Sequence, residues 1–176
     1  MTHEMIFAGF GGQGVLLLGQ LVAYAAMIDN KQVSWIPSYG PEMRGGTANC
    51  AVIVSDDKIG SPLVYEPTAA LIMSNPALEK FEPPLVAGGL MVVNSSMVTL
   101  KPQRTDIKVI SIPATELENQ LGIAKSMNII MLGSFVQATG IVSEDIMQQA
   151  FTKRFAARPH SIENNIKAFK FGASLI

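Results

Sequence analysis

Three glycines near the amino terminus have the spacing of a turn that binds an anion. Gly9, Gly11 and Gly14 lie between the apolar runs 6–8 and 15–18, which gives the order strand, turn, helix. Glycine adopts positive φ without a steric penalty, and its missing side chain lets backbone N–H groups approach a phosphate or carboxylate at a helix amino end. We therefore predict that the turn residues Gly11, Gly12, Gln13 and Gly14 contact an anionic ligand. The alternative is a turn that is glycine-rich only for tight packing.

The acidic residue that normally accompanies this motif is missing. In a dinucleotide-binding unit an Asp or Glu about 20 residues further on binds the ribose hydroxyls. Here the second predicted strand, 33–37, ends at Ser38, and Asp29 and Asn30 precede that strand. The pattern therefore disfavours NAD or FAD and leaves a general anion site.

The segment from Ser38 to Thr47 is the second concentration of unusual residues. It is too rich in Gly and Pro for a regular element, so we predict a long specialised loop. Arg44 can pair bidentately with a phosphate or carboxylate, and Glu42 can orient it. The predicted binding residues of this loop are Ser38, Tyr39, Gly40, Glu42, Arg44, Gly45 and Gly46. The alternative is a weak surface pair between Glu42 and Arg44 on a structural loop.

The elements that must position these two segments alternate between strands and helices. This alternation predicts an α/β fold in three layers, with a mostly parallel, Rossmann-like sheet flanked by helices and a single domain over residues 1–176. In such sheets, ligands bind outside the carboxyl ends of the strands, where both segments leave. Asn75, which follows a later strand, is predicted to reach the same crevice. Turn and cap chemistry explains the stretches 74–76 and 94–96 equally well.

Further signals set the ends of the predicted helices. Thr115 and Glu118 have the spacing of a capping box. An apolar stretch from Asn128 to Thr139 predicts a buried helix that ends at Gly140. Ser143 is a predicted N-cap, and a final helix is predicted to begin at Ser161.

Composition excludes several classes of function. The chain has 176 residues, of which 48% are hydrophobic and 15% charged, against about 25% charged in a typical soluble domain. Low charge indicates either a surface buried against other subunits or many strands buried on both faces. The net charge of −1 and the lack of a basic run give no footprint for nucleic acid. The longest apolar stretch is too short to span a membrane and no leader is visible, so we expect a cytoplasmic protein.

The single cysteine limits redox chemistry. Cys50 by itself cannot form an intrachain disulfide or hold an iron–sulfur cluster, so any electron transfer must use a centre in a partner. A buried structural thiol is the favoured interpretation. His3 and His160 lack ligand spacing, so no metal site is predicted. No nucleophile–base pair or paired carboxylates stand out, and no catalytic residue is assigned.

Three blocks together resemble a known family. The blocks are GFGGQG at 9–14, PSYGPEMRGGTANC at 37–50 and IGSP at 59–62. They are similar to the gamma subunit, or gamma domain, of the thiamine-diphosphate-dependent 2-oxoacid:ferredoxin (acceptor) oxidoreductases. The likeness is greatest to the separate gamma chains of the 2-oxoglutarate and branched-chain 2-oxoacid enzymes.

The resemblance implies a subunit that is inactive alone. The complex would oxidatively decarboxylate a 2-oxoacid, 2-oxoglutarate being favoured, with coenzyme A as co-substrate, to acyl-CoA, CO2 and reduced ferredoxin or a similar acceptor. Thiamine diphosphate and iron–sulfur clusters would lie in the alpha and beta partner subunits, with a delta subunit in some complexes. The gamma chain would help to form the coenzyme A side of the site and the subunit interface. In isolation it could form a homodimer.

Under this resemblance, the glycine turn would meet a phosphate or a partner loop. Tyr39, Glu42 and Arg44 would meet coenzyme A or the partner interface. Two other classes of function stay open from sequence alone. One is a stand-alone nucleotide-binding oxidoreductase, and the other is a purely structural interface module.

Overall fold

The computed structural model describes residues 1–39 and 46–176, and these residues form an α/β fold around one sheet. The strands are β1 (Thr2–Phe10), β2 (Gln32–Tyr39), β3 (Thr47–Ser55), β4 (Ala69–Ile72), β5 (Leu90–Asn94) and β6 (Lys108–Ile112). The helices are α1 (Val15–Ile28), α2 (Asn75–Phe81), α3 (Ala114–Leu121), α4 (Met127–Thr139), α5 (Glu144–Arg154) and α6 (Pro159–Ala173).

The sheet is mixed, with the strand order β2-β3-β1-β4-β5-β6. Strands β1, β4, β5 and β6 are parallel, as predicted, whereas β3 runs antiparallel to both β1 and β2. The few residues between Tyr39 and Thr47 are too short for a parallel crossover, so β2 and β3 form a hairpin instead. Because β3 lies between them, β2 and β1 still point the same way. The predicted α/β fold is confirmed, with this antiparallel edge as a correction.

Both faces of the sheet are covered by apolar side chains. One face packs against α1 and α4, with α5 packed on α1 and α6 on α4, and there the rings of Phe7 and Phe135 lie 5.0 Å apart. The other face carries Ile6, Ile72 and Met91, which pack with Leu78 of α2. The sheet is therefore the central layer between two helical layers, which is the predicted architecture.

Helices α4 and α6 touch through their backbones. A Cβ at Gly133 would collide with the backbone oxygen of Phe169, and one at Gly172 with that of Ile130. The hydroxyl of Ser134 donates to the carbonyl of Gly172 at 2.7 Å. This contact fixes α4, whose first turn forms part of the site described below.

Most predicted helix ends are confirmed. Gly140 ends α4 at φ 62°, and Ser143 caps α5 by accepting from the amide of Ile146 at 3.3 Å. The final helix begins at Pro159 rather than Ser161, since proline suits the first turn of a helix.

The predicted capping box at Thr115 and Glu118 is wrong. Helix α3 begins at Ala114, two residues before the start at Glu116 that a Thr115 N-cap would give, and has no side-chain cap. Glu118 instead accepts the backbone N–H of Met127 at 2.6 Å, and the hydroxyl of Thr115 lies against the sulfur of Met127. Because its carboxylate accepts a hydrogen bond from the first turn of α4, Glu118 connects α3 to α4 and does not cap α3.

Candidate functional site

The glycine turn between β1 and α1 is held rigidly by Gln13. The side-chain oxygen of Gln13 accepts the N–H of Phe10 at 2.7 Å, and its amide nitrogen donates to the carbonyl of Met73 at 3.0 Å. Gly9 leaves room for this arrangement, because a Cβ there would lie 2.8 Å from the Cβ of Met73 and against the Gln13 oxygen. Gly9 is therefore required for packing, and Gln13 ties the end of β1 to the end of β4.

Different structural constraints favour glycine at positions 12 and 14. Their φ angles are 97° and 79°, a region that other L-residues rarely adopt. Gly12 is exposed, and a Cβ there would meet nothing within 4 Å, so its backbone is open to a ligand. A Cβ at Gly14 would collide with the side-chain amide of Asn128. The backbone of Gly12 is thus open to solvent, whereas Gly14 packs closely against Asn128.

Helix α1 begins at this turn without a side-chain cap. Gly14 occupies its N-cap position, and the first turn contains no acidic residue. The first N–H groups of a helix lack intrahelical partners, and the helix dipole places partial positive charge there. The start of α1 therefore presents uncapped backbone donors to whatever faces Gly12.

The segment that faces the turn connects α3 to α4. Lys125 in this segment adopts φ 63°, one of the positive φ angles found outside glycine in the described part of the chain. A bulky residue in that conformation is held there by its surroundings, and such positions cluster at functional sites. Asn128 follows in the first turn of α4 and contacts Gly14. The amino ends of α1 and α4 therefore converge.

A pocket of about 430 Å³ lies between these walls. Its lining consists of Gly12, Gln13, Glu118, Lys125, Met127 and Asn128. Lys125 supplies a positive charge, and one oxygen of the Glu118 carboxylate accepts the N–H of Met127. A lysine, a side-chain amide and an uncapped helix end together favour an anion such as a phosphate.

The second predicted segment meets the glycine turn at its carboxyl end. The N–H of Gly11 donates to the carbonyl of Gly46 at 2.8 Å, and Phe10 pairs with Thr47 across β1 and β3. The prediction that both segments lie at one edge of the sheet is therefore confirmed for the residues that border the loop. Ser38 is not in a loop as predicted but in β2, where it is exposed opposite Asn49.

The rest of that segment lies outside what the structure describes. Tyr39 is the last residue of β2, and only its backbone is described. Gly40, Glu42, Arg44 and Gly45 fall within 40–45, so their predicted contacts with a ligand or partner stay predictions.

The stretches 74–76 and 94–96 have structural roles. Ser74 caps α2, and the Asn75 side chain accepts the N–H groups of Thr99 and Leu100 at 2.9 and 3.1 Å. Asn94 is buried and accepts the N–H of Ala114 at 3.3 Å. Asn75 does not line this pocket, and its amide holds the segment after β5; its predicted contact with a ligand stays a prediction.

Cys50 lies in the core between α1 and β3. Its thiol faces Gly19 and the carbonyl of Val15, and burial raises the pKa of the thiol to about 12. A thiol kept protonated is a poor metal ligand and a poor nucleophile. Over residues 1–39 and 46–176, no three His, Cys, Asp or Glu side chains come together in a group that could hold a metal ion.

Lys125 and Asn128 were missed from the sequence. They lie more than a hundred positions after the glycine turn, in a stretch whose polar residues suggested only the start of a helix. Positive φ at a lysine leaves no mark on the sequence. Only the packing of α4 beside α1 brings these two side chains to Gly12.

The chain belongs to the pyruvate ferredoxin/flavodoxin oxidoreductase family, whose family model matches residues 4–175. This confirms the predicted family. The 2-oxoglutarate synthase subunit KorC of Methanothermobacter marburgensis is 36% identical, with 100% of this chain and 97% of that protein covered. The ketoisovalerate oxidoreductase subunit VorA of Methanothermobacter thermautotrophicus is 34% identical over 94% of this chain. This chain spans only 35% of the VorA length.

Solved structures share the fold. The keto/oxoacid ferredoxin oxidoreductase gamma subunit of Geobacter sulfurreducens superposes with a TM-score of 0.82 at 34% identity, over 97% of this chain and 95% of that one. The 2-oxoglutarate:ferredoxin oxidoreductase of Magnetococcus marinus, solved with 2-oxoglutarate, coenzyme A and succinyl-CoA bound, gives a TM-score of 0.88 at 20% identity. That match covers 99% of this chain and 31% of the other. No helix in the described residues is long and apolar enough to cross a membrane.

Proposed function

We propose that this chain, as a single gamma-type domain, is a subunit of a thiamine-diphosphate-dependent 2-oxoacid:ferredoxin (acceptor) oxidoreductase. The complex converts a 2-oxoacid and coenzyme A to acyl-CoA and CO2, and two electrons pass to ferredoxin or a similar acceptor. Family membership supports this reaction class. The relative KorC of Methanothermobacter marburgensis, which matches over nearly the whole of both chains, is named for 2-oxoglutarate, and this supports that substrate over pyruvate.

The pocket between the glycine turn and Lys125 carries the proposal for this chain's own role. Coenzyme A contains a diphosphate, and the pocket offers a lysine, an uncapped helix end and the open backbone of Gly12. We place the diphosphate there, with Lys125 neutralising its charge and Asn128 donating a hydrogen bond. The residues present therefore fit this co-substrate. The chain binds and orients coenzyme A, whose thiol accepts the acyl group.

Companion subunits must supply the redox centres. An iron–sulfur cluster needs several cysteines, and this chain has one, buried in the core. Thiamine diphosphate and the clusters would therefore be held by alpha and beta subunits, and the chain alone would be inactive. The long VorA and Magnetococcus chains, of which this domain matches about a third, support close packing against further polypeptide. A cytoplasmic location is part of the same proposal.

The test uses the assembled complex. Lys125→Met removes the charge at the pocket, and we expect it to raise the KM for coenzyme A about tenfold, as for a lost charge-assisted hydrogen bond. Lys101→Met is the matched control, because Lys101 is an exposed lysine that does not line the pocket. Arg44→Ala tests the loop prediction in the same assay.

Two outcomes would contradict the proposal. If the complex turned over 2-oxoacid at the same rate without coenzyme A, the reaction class would be wrong. If Lys125→Met left the KM for coenzyme A equal to that of Lys101→Met, the placement of the diphosphate would be wrong.

A further inference from the structure

Helices α5 and α6 form an outer layer over α1 and α4. Helix α5 packs on α1, α6 packs on α4, and the short segment 155–158 joins α5 to α6. Lys170 near the end of α6 pairs with Glu144 at the start of α5 at 3.0 Å, so the two helices run antiparallel. The side of this helical pair that faces away from α1 and α4 is therefore a surface of its own, distinct from the site at the glycine turn.

A groove follows this outer side along the two helices. It consists of two open pockets of about 570 and 510 Å³, which share Ile166 in their linings. Pro159, Ile162 and Ile166 form an apolar stripe of α6 along the groove, and all three stay at least partly accessible. Helix α6 buries Ala168 and Phe169 elsewhere, in the core. An accessible apolar stripe with charged side chains around it is typical of a protein interaction surface.

The charged side chains of the groove have opposite orders on the two helices. Along α5, Asp145 lies at one end of the groove and Lys153 at the other. Along α6, Glu163 lies at the same end as Lys153, and Lys170 lies at the same end as Asp145. All four side chains are exposed. Each end of the groove therefore carries one charge of each sign, and exchanging the ends places every charge opposite one of the other sign.

We propose that this groove binds a second copy of the chain across a two-fold axis perpendicular to α5 and α6. Helix α6 packs antiparallel to α6 of the second copy, with Ile166 near the axis and Ile162 at its side. A two-fold interface uses the same surface on both copies, so that surface must be complementary to itself. The inference does not depend on the proposed reaction, and it leaves the glycine turn accessible to companion subunits.

The two-fold arrangement pairs the charges on both helices. Asp145 lies opposite Lys153 of the second copy, because both are equally far from the middle of α5. Glu163 of the second copy lies level with the segment between Lys167 and Lys170, because the axis passes close to residue 166. Each pair occurs twice in the dimer. Complementary charges of this kind fix the register of two surfaces and exclude the parallel alternative, in which like charges meet along each helix.

A charge exchange on α5 tests the pairing. In sedimentation equilibrium of the full chain, Asp145→Lys should raise the dimer dissociation constant about tenfold, because two pairs of like charges then meet. Adding Lys153→Asp should restore the constant to within about threefold of the unaltered chain, because opposite charges again face each other. Within one chain these positions are about 12 Å apart along the helix, so they cannot pair with each other. Both changes also oppose the dipole of α5, so greater helix stability cannot explain a rescue.

An apolar substitution and a control complete the experiment. Ile162→Asp should raise the dissociation constant at least about a hundredfold, since it places an unpaired carboxylate in the interface. Urea unfolding checks that this variant keeps its fold. Glu79→Lys is the matched charge reversal on α2, which packs on the other face of the sheet, so this variant should dimerise like the unaltered chain.

Three results would overturn the proposal. The first is a chain that is monomeric alone and present in a single copy in the assembled complex. The second is a double variant at positions 145 and 153 that dissociates as readily as Asp145→Lys. The third is release of companion subunits from the complex by Ile162→Asp, which would mean that the groove binds a companion subunit. None of these results bears on the proposed function, which is tested separately by the KM for coenzyme A.

Discussion

Gly14 and Asn128 touch so closely that a Cβ at position 14 would collide with the Asn128 amide nitrogen. Gly14 begins α1, and Asn128 lies in the first turn of α4. The contact therefore fixes the separation of two helix amino ends that form opposite walls of the candidate site. It also gives a reason for glycine at position 14: a larger residue there would displace Asn128, which lies more than a hundred positions later in the chain.

Gly14→Ala should destabilise the protein for two separate reasons. Alanine at φ 79° costs about 1–2 kcal/mol of backbone energy, and its Cβ displaces Asn128. In urea unfolding, Gly14→Ala should lower the free energy of unfolding more when Asn128 is present than in an Asn128→Ala background, where the collision is absent. Equal losses in both backgrounds would show that Asn128 moves aside freely. Gly60→Ala is the control, because Gly60 has open space around it and no positive φ.

Gln13→Ala should loosen the glycine turn. It removes the acceptor for Phe10 N–H and the donor to Met73 carbonyl, and leaving these backbone groups unpaired costs about 1–3 kcal/mol in the free energy of unfolding. Amide hydrogen exchange at Phe10 should accelerate together with that loss. The matched control is Gln149→Ala on the exposed side of α5, which should change stability by less than about 0.5 kcal/mol. Unchanged exchange at Phe10 would contradict the assigned role.

Two substitutions at Lys125 separate backbone strain from charge. At the positive φ of position 125 glycine has no backbone strain, whereas alanine has the same strain as lysine. Lys125→Gly should therefore be more stable than Lys125→Ala by about 1 kcal/mol in thermal or urea unfolding. Both variants lack the charge, so both should raise the KM for coenzyme A in the assembled complex. At Lys101, which has no positive φ, alanine should be at least as stable as glycine. If the alanine variant were at least as stable as the glycine variant at both positions, the backbone at Lys125 would not be strained.

Cys50 should be unreactive in the folded protein. Burial raises the pKa of its thiol from 9.0 to about 12, so little thiolate forms and the sulfur is inaccessible. A thiol reagent at pH 8 should label it slowly in buffer and fast in denaturant. Because the folded pKa lies above the unfolded one, the contribution of this group to stability is complete below pH 9. That contribution is lost as the pH rises toward 12.

The alkaline loss of stability gives a second check on Cys50. Cys50→Ala removes the titrating group, so the stability of this variant should fall less between pH 9 and 11 than that of the unaltered protein. Fast labelling in buffer, or the same alkaline loss in both proteins, would contradict a buried structural thiol. Gly19, whose missing side chain makes room for the sulfur, is unchanged in both proteins.

Much of the fold was predictable because local chemistry determines it. Ser143 before two acidic residues and Gly140 after an apolar run mark helix ends that the structure confirms. The hairpin of β2 and β3 was not predicted, although the short distance between Tyr39 and Thr47 was a usable signal. The glycine and proline content of that segment suggested a long loop. Strand β2 continues to Tyr39, further than expected, whereas β3 begins at Thr47 as predicted.

The candidate site was predictable only in part. Gly12 and Gln13 were predicted and line the pocket, whereas Asn75 was predicted and is engaged with Thr99 and Leu100. An Asn after a strand has the same sequence pattern whether it binds a ligand or fixes a neighbouring segment. The choice depends on which backbone donors come within reach, and that is a property of the packed molecule.

The sequence by itself determined the strand–turn–helix at residues 6–18, the family and the lack of a cysteine set for a cluster. Each of these depends on residue types and on short spacings along the chain, and none depends on tertiary contacts. Tertiary structure alone decided that Lys125 and Asn128 face Gly12 and that the carboxylate of Glu118 accepts a hydrogen bond from the next helix. These relationships arise when α4 packs beside α1, because burial of their apolar faces brings distant polar side chains together.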